Sequence, residues 1–406
     1  MNARARILIT DEFAQEGIDI LANKGGFDLE IRPALSEEEL ARGIAGFDGL
    51  IVRSTTKVTR NILEAASKLR LIGRAGIGMD NIDVEGATRR GVLLVNSPEG
   101  NVVSAAEHAF ALIAASARNV AWADRLVRAG RWDRKILTGV ELMGRTLGVV
   151  GLGRVGMTVA RLGMAHGMRV IATDPYLAGE RAAEAGITLV DLDALLRESD
   201  IVTLHVPLNE RTKRLIGERQ VAMMRSTARL VNTSRGGVVD EKALAAALRA
   251  KRLAGAALDV FEREPLGTSD LTEIDNVILT PHLGGVTEEA HKRIAVDIAE
   301  QFVAFFSHGR ITSAVNAVAT SDPRTAAFVD LSKVLGSFAA QLARGRVLRI
   351  ALTCEGEIAR AEIRALSVWA LCGALRHFCT ETLNPVNAEW IARERGIRTT
   401  EARSPE

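Results

Sequence analysis

The stretch "TLGVVGLGRVGMTVARLGMAHGMRVIATDP" constrains the fold more than any other part of the 406-residue chain. Gly151, Gly153 and Gly156 form a G-x-G-x-x-G pattern that directly follows an apolar strand pattern and begins a helix pattern. A second strand pattern then ends at Asp174. This order predicts a β-α-β unit that binds a dinucleotide.

Each residue of this pattern has a physical reason to be present. Gly151 allows a tight turn, Gly153 lets a pyrophosphate approach the backbone at a helix N-terminus, and Gly156 lets helix and strand pack closely. The carboxylate of Asp174 can accept hydrogen bonds from a ribose diol and repels a 2′-phosphate. The pattern therefore predicts NAD rather than NADP, and the alternative is a glycine turn with a helix-capping Asp.

Apolar, β-rich runs alternate with longer Ala/Leu-rich stretches of helical period before the chain changes character near Val315. The runs are "RILIT", "GLIVR", "LRLIGRAG", "GVLLVN", "TLGVVG", "RVIATD", "IVTLHV", "RLVNTS", "LAGAALDVF" and "NVILTPH". They predict an α/β fold with parallel sheets buried on both faces. The long helix-like segment "SAAEHAFALIAASARNVAWADRLVRAG" interrupts the alternation, which indicates two domains. From Ala317 a helix, a strand and a helix predict a separate, smaller α/β module.

Composition excludes several classes of function. The 52 basic and 50 acidic side chains nearly cancel, so nucleic acid is not an expected partner. Cys354, Cys372 and Cys379 lack metal-site spacing, and we expect no metal. The N-terminal apolar segment is too short for a signal peptide, and no stretch approaches the roughly 18 apolar residues of a membrane span. We expect a cytoplasmic protein without a membrane partner.

Three polar residues follow predicted strands, where ligands of parallel sheets bind. Arg235 follows "RLVNTS", and its guanidinium suits bidentate capture of a substrate carboxylate; a surface Arg is the alternative. His282 follows "NVILTP", and oxidation of an alcohol needs a base that titrates near neutral pH. Glu264, in "FEREPL", can orient that imidazole, although Glu262 and Arg263 compete for the role.

These residues lie in stretches that resemble the D-isomer-specific 2-hydroxyacid dehydrogenase family. The matching stretches are "VRSTTKVT", "GRAGIGMDNID", "NSPEGNVVSAAEHAFALI", "GRWDRKILTGVELMGRTLGVVGLGRVG", "ATDPY", "VNTSRGGVVDE", "ALDVFEREPL" and "TPHLGGVTEEA". The resemblance implies that Arg235, Glu264 and His282 are catalytic. It also implies cofactor contacts from Ile77, Gly151, Gly153, Arg154, Val155, Gly156, Asp174, Val206, Thr233, Ser234, Arg235, Asp259, His282 and Gly285. The implied substrate contacts are Arg53, Ser54, Ala75, Gly76, Arg235 and His282.

The resemblance also implies a domain arrangement. A Rossmann NAD-binding domain, residues 100–284, is expected to be inserted in a flavodoxin-like substrate domain of residues 1–99 and 285–316, with substrate between them. Residues 317–406 are similar to part of the intervening, allosteric-type domain of long-form members, without the serine-binding ACT domain that follows it there. We expect this part to be the least stable or to pack against another subunit of a homodimer or homotetramer.

The implied reaction is NAD-dependent oxidation of 3-phospho-D-glycerate to 3-phosphohydroxypyruvate, the first step of serine biosynthesis. Arg53 is then a phosphate ligand, with Arg134 and Lys135 as weaker candidates. Many members of this branch read "HLGAST" where this chain reads "HLGGVT", so Gly285 and Val286 are departures. Glyoxylate or hydroxypyruvate reduction is therefore an alternative within the family. An NAD-sensing, corepressor-like binding protein is the alternative from another class.

Overall fold

The computed structural model describes residues 4–33, 35–319, 322–380 and 382–404. The described residues divide into two compact units: residues 101–290 form one, and residues from 1–100 together with 291–406 form the other. The domain boundaries near residues 100, 285 and 317 stay predictions. Within the described residues, no helix is both long and apolar enough to cross a lipid bilayer.

A five-stranded parallel sheet forms from the first hundred residues. Its strands are β1 (Arg6–Ile9), β2 (Asp28–Ile31), β3 (Gly49–Val52), β4 (Leu71–Arg74) and β5 (Leu93–Asn96). The helices between them are α1 (Gln15–Ile20) with a π-helical turn (Leu21–Gly25), α2 (Glu37–Gly43) with a 3₁₀ turn (Ile44–Gly46), α3 (Arg60–Ala65) and α4 (Val84–Arg89). The strand order β2-β1-β3-β4-β5 is that of flavodoxin-like sheets.

A seven-stranded parallel sheet lies in the second unit. The helices α5 (Val102–Ala117) and α6 (Val120–Arg128) precede it. Its strands are β6 (Thr146–Val150), β7 (Arg169–Thr173), β8 (Thr188–Leu189), β9 (Ile201–Leu204), β10 (Arg229–Asn232), β11 (Gly255–Leu258) and β12 (Val277–Leu279). The helices among them are α7 (Arg154–Ala165), α8 (Gly179–Glu184), α9 (Leu192–Glu198), α10 (Glu218–Met223), α11 (Glu241–Arg249) and a 3₁₀ turn (Asp270–Glu273). The strand order is β12-β11-β10-β9-β6-β7-β8, so the chain adds β7 and β8 on one side of β6 and then β9 to β12 on the other. Doubly wound sheets bind ligands at such a switch point, which here lies between β6 and β9.

The seven-stranded sheet is buried on both faces. Alternate residues of its strands enter two hydrophobic clusters: Leu230 and Leu258 belong to one, and Leu147, Val231 and Ala257 belong to the other. Side chains of a strand point alternately to opposite faces, so a strand covered on both sides reads as a continuous apolar run. The predicted α/β class, with parallel sheets, is confirmed.

Two details of the first 290 residues differ from the sequence prediction. The strands β2 and β8 were not expected; both are edge strands, and β2 alternates charged and apolar residues. The long helix-like segment is two helices, α5 and α6, separated at Arg118 and Asn119. Asn119 has φ +52°, a left-handed conformation that Asn tolerates and that ends a helix. Its side-chain amide donates to the carbonyls of Leu137 and Thr138.

Residues 288–404 add helices and a two-stranded parallel sheet, whose second strand the sequence did not predict. The elements are α12 (Glu288–His308), α13 (Pro323–Ala326), α14 (Val329–Leu342), β13 (Arg349–Glu355), a 3₁₀ turn (Gly356–Arg360), α15 (Arg364–Leu375), α16 (Ala388–Glu394) and β14 (Arg398–Ser404). The amide of Asn384 donates to Gly91 O at 2.7 Å, and the Arg89 guanidinium lies over the Trp390 ring. Contacts of this kind attach the C-terminal elements to the α4–β5 connection.

The helices α14 and α15 approach each other closely through two glycines. A Cβ placed on Gly336 would collide with the backbone carbonyl of Ala370, and one placed on Gly373 would collide with the carbonyl of Lys333. On another face, α14 exposes apolar side chains of Val334, Phe338 and Leu342. The close pairing therefore depends on small residues at two positions.

Replacing Gly336 by Ala should destabilise the α14–α15 pair by roughly 1–3 kcal/mol, because the added methyl group forces the two backbones apart. Gly179→Ala is the matched control, since Gly179 is also helical and no described atom lies within 4 Å of a Cβ built there. Urea unfolding of both variants measures the difference. Equal free energies of unfolding for the two variants would contradict the close approach.

Candidate active site and dinucleotide site

The glycine loop joins β6 to α7. Gly151 has φ +90°, and a Cβ there would lie 2.7 Å from His205 O. A Cβ on Gly156 would collide with the carbonyl of Gly151. Gly153 is exposed and is the N-cap of α7, and no described atom lies within 4 Å of a Cβ placed on it. The packing of the backbone thus requires glycine at positions 151 and 156, whereas the space at Gly153 is open for a ligand.

Asp174 follows β7 and fixes the glycine loop. Its Oδ2 accepts from the backbone N–H of Leu152 at 2.8 Å, and its Oδ1 accepts from the N–H of Tyr176 at 2.8 Å. The carboxylate therefore stands beside the loop, as the sequence pattern predicts for a ribose ligand. Val206, after β9, contacts the same turn, because its Cγ1 lies 2.8 Å from a Cβ built on Gly151.

The turn after β10 carries Thr233, Ser234 and Arg235. Asn232 holds it: its Oδ1 accepts from Ser234 Oγ at 2.8 Å, and its Nδ2 donates to Arg235 O at 3.0 Å. Gly236 packs its backbone so closely on Phe261 that a Cβ would collide with the Phe261 carbonyl. Among the residues that the structure describes, the buried Thr233 Oγ1 has no hydrogen-bond partner. A buried hydroxyl without a partner is costly, and a bound cofactor can satisfy it.

Glu264 and His282 form a direct pair. His282 Nδ1 lies 2.8 Å from Glu264 Oε2, and Glu264 Oε1 accepts from the backbone N–H of Phe261 at 3.1 Å. Burial alone would raise the pKa of Glu264, but the hydrogen bonds from His282 and Phe261 outweigh it and lower this pKa. Of the three candidates in "FEREPL", Glu264 is therefore the residue that contacts the imidazole. The backbone N–H of Glu262 instead donates to Glu241.

Asp259 holds the segment on which His282 lies. Its side chain is fully buried at the end of β11. Its Oδ1 accepts from Thr280 Oγ1 at 2.6 Å and from Leu283 N at 2.7 Å, and its Oδ2 accepts from Gly284 N at 2.9 Å. Burial opposes its ionisation, but hydrogen bonds led by those from His108 and Thr280 lower the pKa of Asp259.

The backbone of His282 is in an unusual conformation. Its φ is +55°, which few non-glycine residues adopt. The N–H of His282 donates to the carbonyl of Asp259 at 2.9 Å. Because Thr280 before it and Leu283 and Gly284 after it are hydrogen-bonded to Asp259, the surrounding structure maintains this conformation. Gly285 follows in the same segment, and a Cβ there would lie 2.5 Å from Asn101 Nδ2.

The predicted substrate residues lie in the other unit. The backbone N–H of Arg53 donates to Asp11 Oδ2 at 2.6 Å, and its carbonyl accepts from Asn81 Nδ2 at 2.7 Å. Ser54 is exposed, whereas Ala75 and Gly76 are buried just after β4. The carbonyl of Ile77 accepts from the Asn96 amide at 2.7 Å.

Comparison with known proteins relates this geometry to a family. A family model described as "D-isomer specific 2-hydroxyacid dehydrogenase, NAD binding domain" matches residues 110–284, and one described as "D-3-phosphoglycerate dehydrogenase intervening domain" matches residues 324–406. A D-3-phosphoglycerate dehydrogenase of Synechocystis sp. is 45% identical over 98% of this chain and 72% of its own length. The chain belongs to the D-3-phosphoglycerate dehydrogenase branch of this family.

Solved structures of other dehydrogenases and reductases resemble this chain. A D-lactate dehydrogenase from Aquifex aeolicus, complexed with NAD and lactic acid, has a TM-score of 0.67 and 30% identity over 76% of this chain and 98% of its own. A glyoxylate reductase from Paecilomyes thermophila has a TM-score of 0.71 and 28% identity over 78% of this chain and 99% of its own. The cofactor of the D-3-phosphoglycerate dehydrogenase branch is NAD, and the open glycine loop and the unsatisfied Thr233 hydroxyl fit it.

Several supporting residues were missed by the sequence interpretation. Asp11 follows the apolar run "RILIT", so the search for polar residues after strands could have found it. His108 lies in a helix, and its Nε2 is 3.2 Å from both Asp259 Oδ1 and Thr280 Oγ1. No local pattern around His108 indicates this contact.

His205 makes the free energy of unfolding depend on pH. Burial lowers the pKa of His205 from 6.5 to about 4, and its Nε2 lies 3.0 Å from Thr203 Oγ1. The unfolded chain binds this proton more readily than the folded chain. The stability that the neutral His205 ring gives the folded state is therefore complete above pH 6.5 and is lost as the pH falls towards 4. At pH 5 the folded state should have lost about 2 kcal/mol relative to pH 7 through this group.

His205→Asn should remove this part of the pH dependence. Urea unfolding at pH 7 and pH 5 measures it, with the exposed His308→Ala as the control that keeps it. An identical pH dependence in His205→Asn and the unaltered chain would contradict the burial argument.

Proposed function

We propose that the chain catalyses the NAD-dependent oxidation of 3-phospho-D-glycerate to 3-phosphohydroxypyruvate, the first step of serine biosynthesis. The observation that carries this proposal is the 2.8 Å pair of His282 and Glu264 within the segment that matches the family's NAD-binding domain. The D-3-phosphoglycerate dehydrogenases that align with 98–99% of the chain support the choice of substrate.

His282 is the proton acceptor of this proposal. Glu264 lies at Nδ1, and an ionised carboxylate can only accept, so Nδ1 carries the proton. The lone pair of Nε2 is then available for the proton of the substrate's 2-hydroxyl group. As this proton moves, Glu264 stabilises the positive imidazolium that forms. The lowered pKa of Glu264 keeps the carboxylate ionised at neutral pH.

Arg235 binds the carboxylate of the substrate. A guanidinium presents parallel N–H donors that match a carboxylate, and it stays charged throughout the reaction. It also polarises the carbonyl group as that group develops at C2. Asn232 and the Gly236 backbone restrict the turn that carries it.

When bound, NAD supplies the acceptor for the hydride from C2. The proposed cofactor contacts are those of the sequence interpretation: Ile77, Gly151, Gly153, Arg154, Val155, Gly156, Asp174, Val206, Thr233, Ser234, Arg235, Asp259, His282 and Gly285. Gly153, at the N-terminus of α7, would leave room for the pyrophosphate beside the free backbone N–H groups of that helix. Asp259 acts through the backbone that it holds, since its carboxylate accepts from Thr280, Leu283 and Gly284.

The phosphate end of the substrate is assigned to Arg53 and Ser54, with backbone from Ala75 and Gly76. Glyoxylate or hydroxypyruvate reduction is less favoured, because residues 324–406 match an intervening domain that is described as that of D-3-phosphoglycerate dehydrogenase. A corepressor-like role is less favoured for the same reason. A cytoplasmic location, the absence of nucleic-acid and membrane partners, and a homodimer or homotetramer stay predictions.

Replacing His282 by Ala should lower kcat by roughly 100- to 10,000-fold, the effect of losing a general base. NAD affinity should fall far less than kcat, because His282 is one of many proposed cofactor contacts, and fluorescence titration with NADH measures it. The exposed His308→Ala is the matched control and should retain full turnover. Unchanged turnover in His282→Ala would contradict the assignment.

The substrate is tested by steady-state kinetics on one preparation. NADH formation is measured with 3-phosphoglycerate, and NADH consumption with 3-phosphohydroxypyruvate, hydroxypyruvate and glyoxylate. We expect kcat/KM for 3-phosphohydroxypyruvate to exceed that for hydroxypyruvate by at least roughly 10-fold, since a charge-assisted contact to phosphate is lost in the smaller substrate. A preference for glyoxylate or hydroxypyruvate would reject the proposed substrate.

A further inference from the structure

The side chain of Arg53 lines a pocket whose volume is about 170 Å³. His291, at the fourth position of α12, lines the same pocket, together with Glu12 and the apolar side chains of Phe13 and Ile294. All of these residues belong to the unit that contains residues 1–100. A water molecule takes about 30 Å³ in the liquid, so the pocket has room for a group of several heavy atoms.

Arg53 and His291 are joined by a hydrogen bond in which only the guanidinium of Arg53 can donate. Arg53 Nη2 lies 2.8 Å from His291 Nε2. A guanidinium has donors and no acceptor, so the imidazole nitrogen accepts and the ring is neutral. Burial, followed by the charge of Arg53, lowers the pKa of His291, and the charge of Glu12 opposes this effect.

The backbone and side chain of Arg53 are thus held by different partners. Asp11 and Asn81 hold the backbone on either side of the residue. The bond to His291 fixes the direction of the guanidinium, which otherwise rotates about four side-chain bonds. A guanidinium that is fixed in advance loses less conformational entropy when it binds an anion.

We propose that His291 is a positioning residue that orients Arg53 for the phosphate group of the substrate, and that it sets the preference for a phosphorylated over a non-phosphorylated 2-hydroxy acid. The inference rests on the proposed function, in which the substrate carries a phosphate. A tetrahedral phosphate suits the parallel donors of Arg53, and a neutral imidazole leaves the positive charge of the guanidinium in place.

Glu12 makes a second, independent prediction possible. Its carboxylate lines the pocket and repels a phosphate dianion, although its exposure to solvent weakens the effect. Removing this charge should strengthen phosphate binding. Glu12→Gln should therefore lower KM for the phosphorylated substrate by roughly 2- to 3-fold.

The test compares His291→Ala, His291→Gln and His308→Ala, which changes the exposed histidine at the end of the same helix. Kinetics are measured with 3-phosphohydroxypyruvate and with hydroxypyruvate. His291→Ala should raise KM for 3-phosphohydroxypyruvate by about 10-fold, the usual effect of losing one hydrogen bond to a charged group. KM for hydroxypyruvate and both kcat values should stay within about twofold, because the proton acceptor is elsewhere.

His291→Gln should restore the low KM, since the glutamine side-chain oxygen can accept from Arg53. His308→Ala should match the unaltered chain. An equal rise of KM for both substrates in His291→Ala, an unchanged KM, or a glutamine variant no better than alanine would each overturn the proposal.

Binding of inorganic phosphate, measured by calorimetry on the full chain, separates this inference from the proposed function. If the chain does not turn over 3-phosphohydroxypyruvate, the proposed function fails. Phosphate binding that is weakened in His291→Ala and kept in His291→Gln would still support the anion subsite. Phosphate binding that is equal in all variants would reject the role of His291.

Discussion

The fully buried carboxylate of Asp259 accepts hydrogen bonds from Thr280, Leu283 and Gly284, and these bonds determine the path of the backbone around His282. A buried charge is stable only when such donors surround it. The same bonds maintain the left-handed conformation of His282, which brings its ring to Glu264. The direction of the imidazole, and therefore its chemistry, depends on this one buried anion.

The parallel sheet explains why the other residues of the site occur where they do. The glycine loop follows β6, Asp174 follows β7, the Thr233–Arg235 turn follows β10 and His282 follows β12. The carboxyl ends of parallel strands lie at one edge of a sheet, so residues far apart in sequence share that edge. The backbone of the glycine loop at this edge is tightly packed, because a Cβ on Gly151 or Gly156 would collide with neighbouring backbone atoms. The open space occurs at Gly153, at the N-terminus of α7.

Much of this could be predicted from the sequence, because it depends on local patterns. Each apolar run of the sequence interpretation contains an observed strand, whereas β2, β8 and β14 were missed because edge strands with polar residues lack that pattern. Arg235, Glu264 and His282 could be named from their places after strands. The choice of Glu264 over Glu262 required coordinates, since both carboxylates lie in one turn.

Contacts between distant residues could not be predicted in this way. Arg53 and His291 are 238 positions apart, and nothing in either neighbourhood indicates their bond. The role of Asp259 as a hydrogen-bond acceptor could not be predicted either, because two of its donors are backbone N–H groups after another strand and the other two are the side chains of Thr280 and His108. Sequence patterns therefore locate the chemical groups, and the tertiary fold determines what holds them.

Glu264 fixes the tautomer of the His282 ring, so that Nδ1 carries the proton that faces the carboxylate and the lone pair lies on Nε2. ¹⁵N NMR of the histidine-labelled chain at pH 8 tests this directly, with His282→Asn to assign the resonance. We expect the shifts of an Nδ1-protonated ring, and a change of the ring's tautomer balance in Glu264→Gln. An Nε2-protonated ring, or shifts that Glu264→Gln leaves unaltered, would contradict the account.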